Sequence, residues 1–433
     1  MVAVKAKTKE EAKPLVTDRY LDLIEAAVER ISDVVLVSSL VKSHFLSEKY
    51  QADVYLKRED LQQVRSYKIR GAYNKIKSLT KSEQDRGVVC ASAGNHAQGV
   101  AYSCAKLKIK GHIFMPVVTP NQKISMVRKF GGKFTEIVLK GNTFDEASLE
   151  AQAFCKKNKM VFVHPFDDPL TIAGQGTLGR EMVNQAEAQG VVFDYLFGPI
   201  GGGGMMSGVS MYFKAKSSKT KLIGVEPMGA AKMSEAFKEG KPVTLPVIDT
   251  FVDGCAVKTA GQETYRILSQ TLKKILKVPE GKVCTAMIDL YQKEGIIAEP
   301  AGALAVSSLD FMKDEIKGKK VVCIISGGNN DILRYPEVME RSLIFEGLRH
   351  YMLVKFAQKP GQLKSFLMEV LAPTDDIIRF EYIKKTNAET GPAMVGIEVA
   401  QPEHFEKLCQ RMKSAGISFE LLNGNNTLFK YIV

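Results

Sequence analysis

Between about residue 50 and residue 335, short β-rich runs alternate with helical stretches, and this rhythm constrains the fold more than any other feature of the chain. The runs are Ala52 to Lys57, Gly87 to Cys90, Lys110 to Met115, Lys133 to Val138, Phe193 to Phe197, Lys221 to Glu226 and Lys319 to Ile325. Such alternation predicts an α/β fold of βαβ units around mainly parallel sheets covered on both faces. After residue 340 the rhythm changes. Tyr351 to Phe356 reads as a strand, Pro360-Gly361 opens a helix to about Leu371, Ile377 to Lys384 and Ala393 to Val399 read as strands, Pro402 to Ala415 as a helix and Leu428 to Val433 as a last strand. The order βαββαβ is an α+β ferredoxin-like arrangement that closes as its own unit. We therefore expect one unit over 1–340 and a second over 341–433.

Composition narrows the function classes. Of 433 residues, 45% are hydrophobic and 25% charged, as in globular proteins, and no apolar run approaches the ~20 residues of a membrane span. The net charge of +12 invites a nucleic-acid reading, but Lys and Arg form no stripe or block, so a generally basic, solvated surface is expected instead. The seven Cys are scattered without a C-x-x-C pair, which fits a reducing compartment, and the six His show no metal-ligand spacing. A cytoplasmic protein without structural zinc is the expectation. The Lys-rich first fifteen residues include Glu10 and Glu11 and lack an apolar core, so they resemble neither a signal nor a transit peptide.

In doubly covered parallel sheets, ligands bind beyond the carboxyl ends of the strands. Four motifs lie there. Val64 to Tyr73 places Lys68 at the start of a helical run, where the helix dipole favours a neutral, nucleophilic amine; by itself such a lysine is most often only solvated. Cys90 to Gly99 runs from a strand through Ser92, Ala93, Gly94, Asn95 and His96 into a helix. Its small residues and N–H groups suit a carboxylate or phosphate, and the Asn95 amide suits a phenolic oxygen; an ordinary helix cap is the competing reading. Phe197 to Gly208 contains four consecutive glycines, Gly201, Gly202, Gly203 and Gly204, followed by Met205. Ordering them is entropically expensive, and their exposed amides suit a phosphate at a helix N-terminus. Val321 to Asn330 delivers Ser326 to the same sheet edge, where a serine is most often a turn residue.

A dinucleotide site is a rival, because Glu226 follows the glycines by about 20 residues, where a Rossmann fold places its ribose-binding acid. The G-x-G-x-x-G register fails within 201–208, however, and no G-K-[ST] completes a Walker A loop. Together, the lysine, the amide, the glycine cradle and the serine meet the needs of one cofactor, pyridoxal 5'-phosphate.

The chain resembles the threonine dehydratases of the fold-type II pyridoxal-phosphate family in Ser66 to Ala72, Ser92 to Gly99, Gly201 to Met205, Glu299 to Ala303 and Ser326 to Asn329, in order. From Arg341 onward it resembles the single ACT-like regulatory domain of the shorter biosynthetic enzymes. The resemblance implies two open lobes, the smaller (roughly residues 60–170) inserted in the larger. Lys68 would carry the cofactor and act as the base for the α-proton. Asn95 would hold the ring hydroxyl, residues 201–205 the phosphate and Ser326 the pyridine nitrogen, while backbone amides of Ser92, Ala93, Gly94, Asn95 and His96 would hold the substrate carboxylate.

The implied activity is conversion of L-threonine to 2-oxobutanoate and ammonia for isoleucine synthesis. An amino-acid effector, isoleucine with valine second, would bind the C-terminal unit of a homo-oligomer, a tetramer or dimer. Ala93 stands where racemase relatives carry a second serine, which argues against racemisation. The run Pro227 to Lys232 lacks the acids that hold their divalent ion, so no Mg²⁺ requirement is expected. These motifs show no carboxylate to protonate the leaving hydroxyl, so the cofactor phosphate is expected to do so. The competing functions are a serine dehydratase, an NAD-dependent oxidoreductase and a silent amino-acid sensor.

Overall fold

The computed structural model describes residues 17–384 and 388–422, with Phe429 and Ile432. In chain order its strands are β1 (Leu40–Lys42), β2 (Asp53–Arg58), β3 (Val88–Ala91), β4 (Gly111–Met115), β5 (Thr135–Leu139), β6 (Val161–Phe162), β7 (Tyr195–Pro199), β8 (Lys221–Pro227), β9 (Lys274–Val278), β10 (Lys320–Ile325), β11 (Arg349–Ala357), β12 (Asp376–Tyr382), β13 (Thr390–Glu398) and β14 (Ser418–Leu422). The chain divides into two compact units, 1–331 and 332–433.

The first unit holds two sheets. The larger runs β1-β2-β10-β7-β8-β9, parallel throughout except for the antiparallel edge strand β1. β10 is central and pairs with β2 and β7, so Val321, Val322, Cys323, Ile324 and Ile325 are fully buried. The smaller sheet, β5-β4-β3-β6, is wholly parallel. Val88, Cys90, Ile113 and Met115 pack there against Val100, Ala101 and Cys104 of the helix Asn95–Leu107 and Val127 of the helix Asn121–Gly131.

Three strands escape the sequence reading. β1 has three residues and β6 two, too few to show a period, whereas β9 spaces Lys274 and Lys277 three apart around Ile275 and Leu276 and reads as a polar helix face. Ile275 and Leu276 are buried, and the Lys274 amine reaches Glu315 at 2.9 Å.

The second unit is an antiparallel sheet, β12-β13-β11-β14, carrying the helix Pro402–Ser414. Met352, Val354, Phe356, Val395, Ile397, Leu408 and Met412 form its core. Its fourth strand is Ser418–Leu422. The strand expected at 428–433 lies outside the described residues apart from Phe429 and Ile432. Gly416, at φ 66°, ends the preceding helix so abruptly that Ile417 to Leu422 returns to the sheet at once. As a compact unit it runs from Ile332 and includes the helix Tyr335–Phe345, to which it is tied where the Tyr351 hydroxyl donates to Glu340 at 2.8 Å.

Candidate active site

Two segments meet at the carboxyl end of the larger sheet. β2 passes into the turn Glu59–Leu61, reverses at Arg65, whose φ of 55° is left-handed, and enters the helix Lys68–Lys77. β10 ends in Ser326-Gly327-Gly328-Asn329. The Tyr67 N–H donates to the Ser326 carbonyl at 3.1 Å and the Gly328 N–H to the Arg65 carbonyl at 2.9 Å, and Ser66 and Gly327 form an antiparallel bridge. This pairing places Lys68, the first residue of its helix, beside Ser326. The Lys68 amine donates to the Pro165 carbonyl at 3.3 Å and lies 5.3 Å from the centre of the Tyr67 ring. Desolvation lowers its pKa to about 8, against the opposing pull of Cys255 and Glu299. It is thus the partly neutral amine that carbonyl condensation needs.

The tetraglycine turn follows β7 and starts the helix Gly204–Lys216. Gly203 caps that helix at φ 92°, a left-handed conformation that favours glycine. A Cβ on Gly202 would stand 2.1 Å from the Phe166 ring. Phe166 directly follows Pro165, the partner of Lys68, so the amine and the glycine turn flank one short segment. Met205 is 2% exposed and packs with Met206 and Val209 in the larger core, so only its backbone N–H can serve a ligand. The first N–H groups of a helix lack intrahelical partners and bear partial positive charge.

Asn95 begins its own helix at the carboxyl end of β3. Its Nδ2 donates to Glu299 Oε1 at 2.6 Å, and its Oδ1 accepts from Asn329 Nδ2 at 2.8 Å. These contacts fix the amide orientation and use one of its two N–H hydrogens. The Gly94 position, by contrast, has nothing within 4 Å of an added Cβ, so this loop borders open space.

The structure narrows the carboxylate-holding role expected of Ser92 to His96. The Ser92 N–H donates to the Phe114 carbonyl at 3.1 Å and the Gly94 N–H to Ser92 Oγ at 3.2 Å. The backbone donors left are those of Ala93, Asn95 and His96. The His96 ring is 3% exposed, contacts the Val163 carbonyl at 2.8 Å, and is held neutral by burial, with a pKa of about 3. It is a packing group, not a base. The Ser326 hydroxyl, also buried, donates to the Ala301 carbonyl at 3.2 Å, and rotation of that hydrogen can redirect it.

The four strand-end motifs contain no leaving-group acid, but a carboxylate stands beside them. Glu299, 4% exposed, contacts Asn95, and a Cβ on Gly327 would meet its Oε1 at 2.6 Å. It is the N-cap residue of the helix Pro300–Ser307, yet its side chain makes no capping bond and turns to the cleft. The sequence offered it in the block Glu299 to Ala303, as a single acid inside the apolar run Ile296 to Val306, but gave it no role. Burial raises the Glu299 pKa to about 8, reinforced by Asp253 and opposed by the Asn95 amide and by Lys123. Between its ordinary value and about 8, the folded cofactor-free chain holds a proton that the unfolded chain has lost. Its contribution to stability is therefore complete below about 4.5 and is lost as the pH rises to about 8. Glu299→Gln is expected to flatten stability across that window in denaturant titrations; an unchanged slope would place the titration elsewhere.

Glu226, the acid on which the dinucleotide rival rests, is fully buried and already engaged. It pairs with Lys232 at 3.1 Å and accepts the Met233 and Ser234 N–H groups, each at 2.8 Å. It caps the helix Lys232–Glu239 rather than facing a ribose. The amine, the fixed amide and a glycine-only helix start, packed too closely on Phe166 and Gly254 for side chains, all fit pyridoxal phosphate instead.

Residues 31–327 match the family of pyridoxal-phosphate dependent enzymes, and residues 340–432 match the C-terminal regulatory domain of threonine dehydratase. The chain is 51% identical over 407 residues to the biosynthetic L-threonine dehydratase IlvA of Halalkalibacterium halodurans, covering 94% of this chain and 97% of that one. It is 50% identical to the enzyme of the same name from Bacillus subtilis, covering 97% and 100%. Among solved structures it resembles the processed form of threonine deaminase isoform 2 from Solanum lycopersicum, with a TM-score of 0.73, 37% identity and coverage of 79% and 98%. Maize serine racemase is more distant in sequence, with a TM-score of 0.68, 28% identity and coverage of 75% and 98%. The chain belongs to the pyridoxal-phosphate dependent enzymes, and within them to the biosynthetic threonine dehydratases that carry a C-terminal regulatory domain.

Proposed function

We propose that the chain converts L-threonine to 2-oxobutanoate and ammonia as the first step of isoleucine synthesis. The observation that carries this reading is the desolvated Lys68 amine on the Pro165 carbonyl, with Phe166 packed on the glycine turn and Tyr67 paired to Ser326. When bound, the cofactor supplies the electron sink that makes an amino acid's α-proton removable. Lys68 holds it and takes that proton. Asn95 donates to the ring hydroxyl, the amides of Gly201, Gly202, Gly203, Gly204 and Met205 hold the phosphate, and Ser326 faces the ring nitrogen. The N–H groups of Ala93, Asn95 and His96, with the Ser92 hydroxyl, orient the substrate carboxylate. Loss of the β-hydroxyl releases an enamine, which water hydrolyses to the keto acid and ammonia.

The effector reading is supported by a cavity of about 340 Å³ in the second unit, lined by Phe356, Lys359, Leu363, Phe380, Tyr382 and Lys384 among others. Aromatic and aliphatic walls beside two ammonium groups suit a branched-chain amino acid, isoleucine first and valine second. A homo-oligomer of two or four copies in the cytoplasm completes the reading; none of the seven cysteines forms a disulfide and six are buried, as suits a reducing compartment.

Keto-acid release is the test, with threonine and serine assayed side by side, each with and without isoleucine and valine. Threonine is expected to exceed serine in kcat/KM by about 10-fold, the scale of one methyl group in a pocket. Isoleucine is expected to change the apparent threonine affinity about 5- to 150-fold. Serine preferred over threonine, or no response to either effector, would overturn the corresponding part.

A further inference from the structure

The two lobes of the first unit are tied by a feature that the cofactor chemistry leaves unexplained. After β8 the larger lobe sends out a strap, residues 243–260. Its ends are pinned by the Leu245 N–H to the Lys258 carbonyl and the Ala260 N–H to the Val243 carbonyl, each at 3.0 Å, and by a bridge between Thr244 and Thr259. Its middle is anchored by Phe251, Val252 and Cys255, all buried. Two opposite charges project from the strap. Asp253 pairs with Lys123 at 2.6 Å, and Lys258 pairs with Asp145 at 3.4 Å.

Both partners belong to the smaller lobe. Lys123 is on the helix Asn121–Gly131, whose Ile124 and Val127 pack on the smaller sheet. Asp145 is on the helix Phe144–Lys157, whose Ala151 and Cys155 pack on its other face. One strap thus meets two helices with complementary charge. Next to Asp253 the strap also lines the site: a Cβ on Gly201 would meet the Gly254 carbonyl at 2.9 Å, and one on Gly254 would meet Glu299 Oε1 at 3.5 Å.

We propose that the 243–260 strap is a clasp between the lobes, with Lys123 and Asp253 as positioning residues that hold the smaller lobe over the substrate amino acid. Both side chains are about one-third exposed, at 28% and 33%. A pair at that depth is weak, salt-screened and reversible, as a closure that must reopen at each turnover requires. The inner pair also faces Glu299 electrostatically. The charged or titratable groups around that carboxyl are Asp253 and Cys255 from the strap, Lys123 from the smaller lobe, and Lys68 and Tyr67 at the start of their helix. Asp253 raises the proton affinity of Glu299 and Lys123 lowers it, so the two halves of one clasp act on it with opposite sign.

The experiment uses the full-length holoenzyme with Lys123→Met, Asp253→Asn, the double variant, and Asp145→Asn for the outer pair. Three quantities are read: KM, hydrogen exchange over residues 121–131, and the pH of the transition in cofactor absorbance. Each inner single variant is expected to raise KM and speed exchange about two- to fivefold, and the double variant no further, because either change already opens the pair. The absorbance transition is expected to move to lower pH in Asp253→Asn and to higher pH in Lys123→Met, and to return toward the parent value in the double. Asp145→Asn is expected to raise KM and leave the transition in place. Unchanged exchange in both inner singles, effects that simply multiply in the double, or transitions moving in the same sense would each overturn the clasp. Only the KM arm rests on the threonine reading. Faster exchange without threonine turnover would therefore refute that reading and leave the clasp standing.

Discussion

Lys68→Ala is expected to abolish the absorbance of the covalently held cofactor and to lower threonine turnover by at least about 10⁴-fold. The size follows from two functions carried by one atom. In the proposed mechanism the Lys68 amine would condense with the cofactor aldehyde and would also take the α-proton, a role worth about 10²–10⁴-fold by itself. Its surroundings support both. Desolvation brings its pKa to about 8, and the acceptor in contact with it is the Pro165 carbonyl rather than a carboxylate. An ion pair would have held the amine charged. Lys68→Arg is an informative companion, because it keeps a cation at the helix start but cannot form the bond. It should be as inactive as the alanine variant while remaining folded. Absorbance and turnover within about 10-fold of the parent in Lys68→Ala would refute the assignment.

The candidate residues differ in how far the sequence alone can point to them, for a physical reason. Lys68, Asn95, the glycines 201–204 and Ser326 all follow parallel strands, and strand, small residues and helix form a contiguous pattern readable along the chain. Glu299 follows no strand. It joins the site because the helix it precedes packs under β10, a relation set by tertiary structure. The Ser92 amide looked available because the sequence does not reveal that β3 continues its pairing to the Phe114 carbonyl. The long buried runs of β7, β8 and β10 were legible from their apolar continuity. The Lys-rich β9 was not, since its lysine stems lie at the sheet edge with the charges outside. The strand Ser418–Leu422 was not legible because Phe419 stands alone between Ser418 and Glu420 at a sheet edge, where the apolar signal is weakest.

Arg70, two residues beyond Lys68, gives the second large expectation, in stability. It is fully buried and satisfied on every side. Nε and Nη2 bind both oxygens of Glu59 at 2.7 and 2.8 Å, Nη1 and Nη2 bind Glu181 at 2.7 and 2.9 Å, and Nη1 reaches Thr177 at 3.0 Å. Lys57, also fully buried, pairs with Glu181 at 2.8 Å, so two cations balance two carboxylates. Together they join β2, the turn Glu59–Leu61, the helix Lys68–Lys77 and the helix Pro169–Ala188. Arg70→Met would leave the buried Glu59 and the partly buried Glu181 facing one ammonium, a change worth about 3–5 kcal/mol. The thermal midpoint is expected to fall on the order of 5–10 °C. Arg70→Lys should recover little of this, because one point charge cannot reproduce the two-oxygen contact with Glu59.

The pH dependence has a definite sign. Although burial opposes it, Arg70 holds the Glu59 pKa below the ordinary carboxylate value, so this pair's contribution is complete above about 4.5 and is lost as the pH falls through the folded value. Without Arg70, Glu59 takes up a proton at higher pH, and the gap between the parent and Arg70→Met should narrow on acidification. Arg70→Met combined with Glu59→Gln should regain part of the loss, since it removes the unpaired charge. A gap that stays constant with pH, together with a double variant no more stable than the single, would show that the arginine acts by filling space and not by its charge.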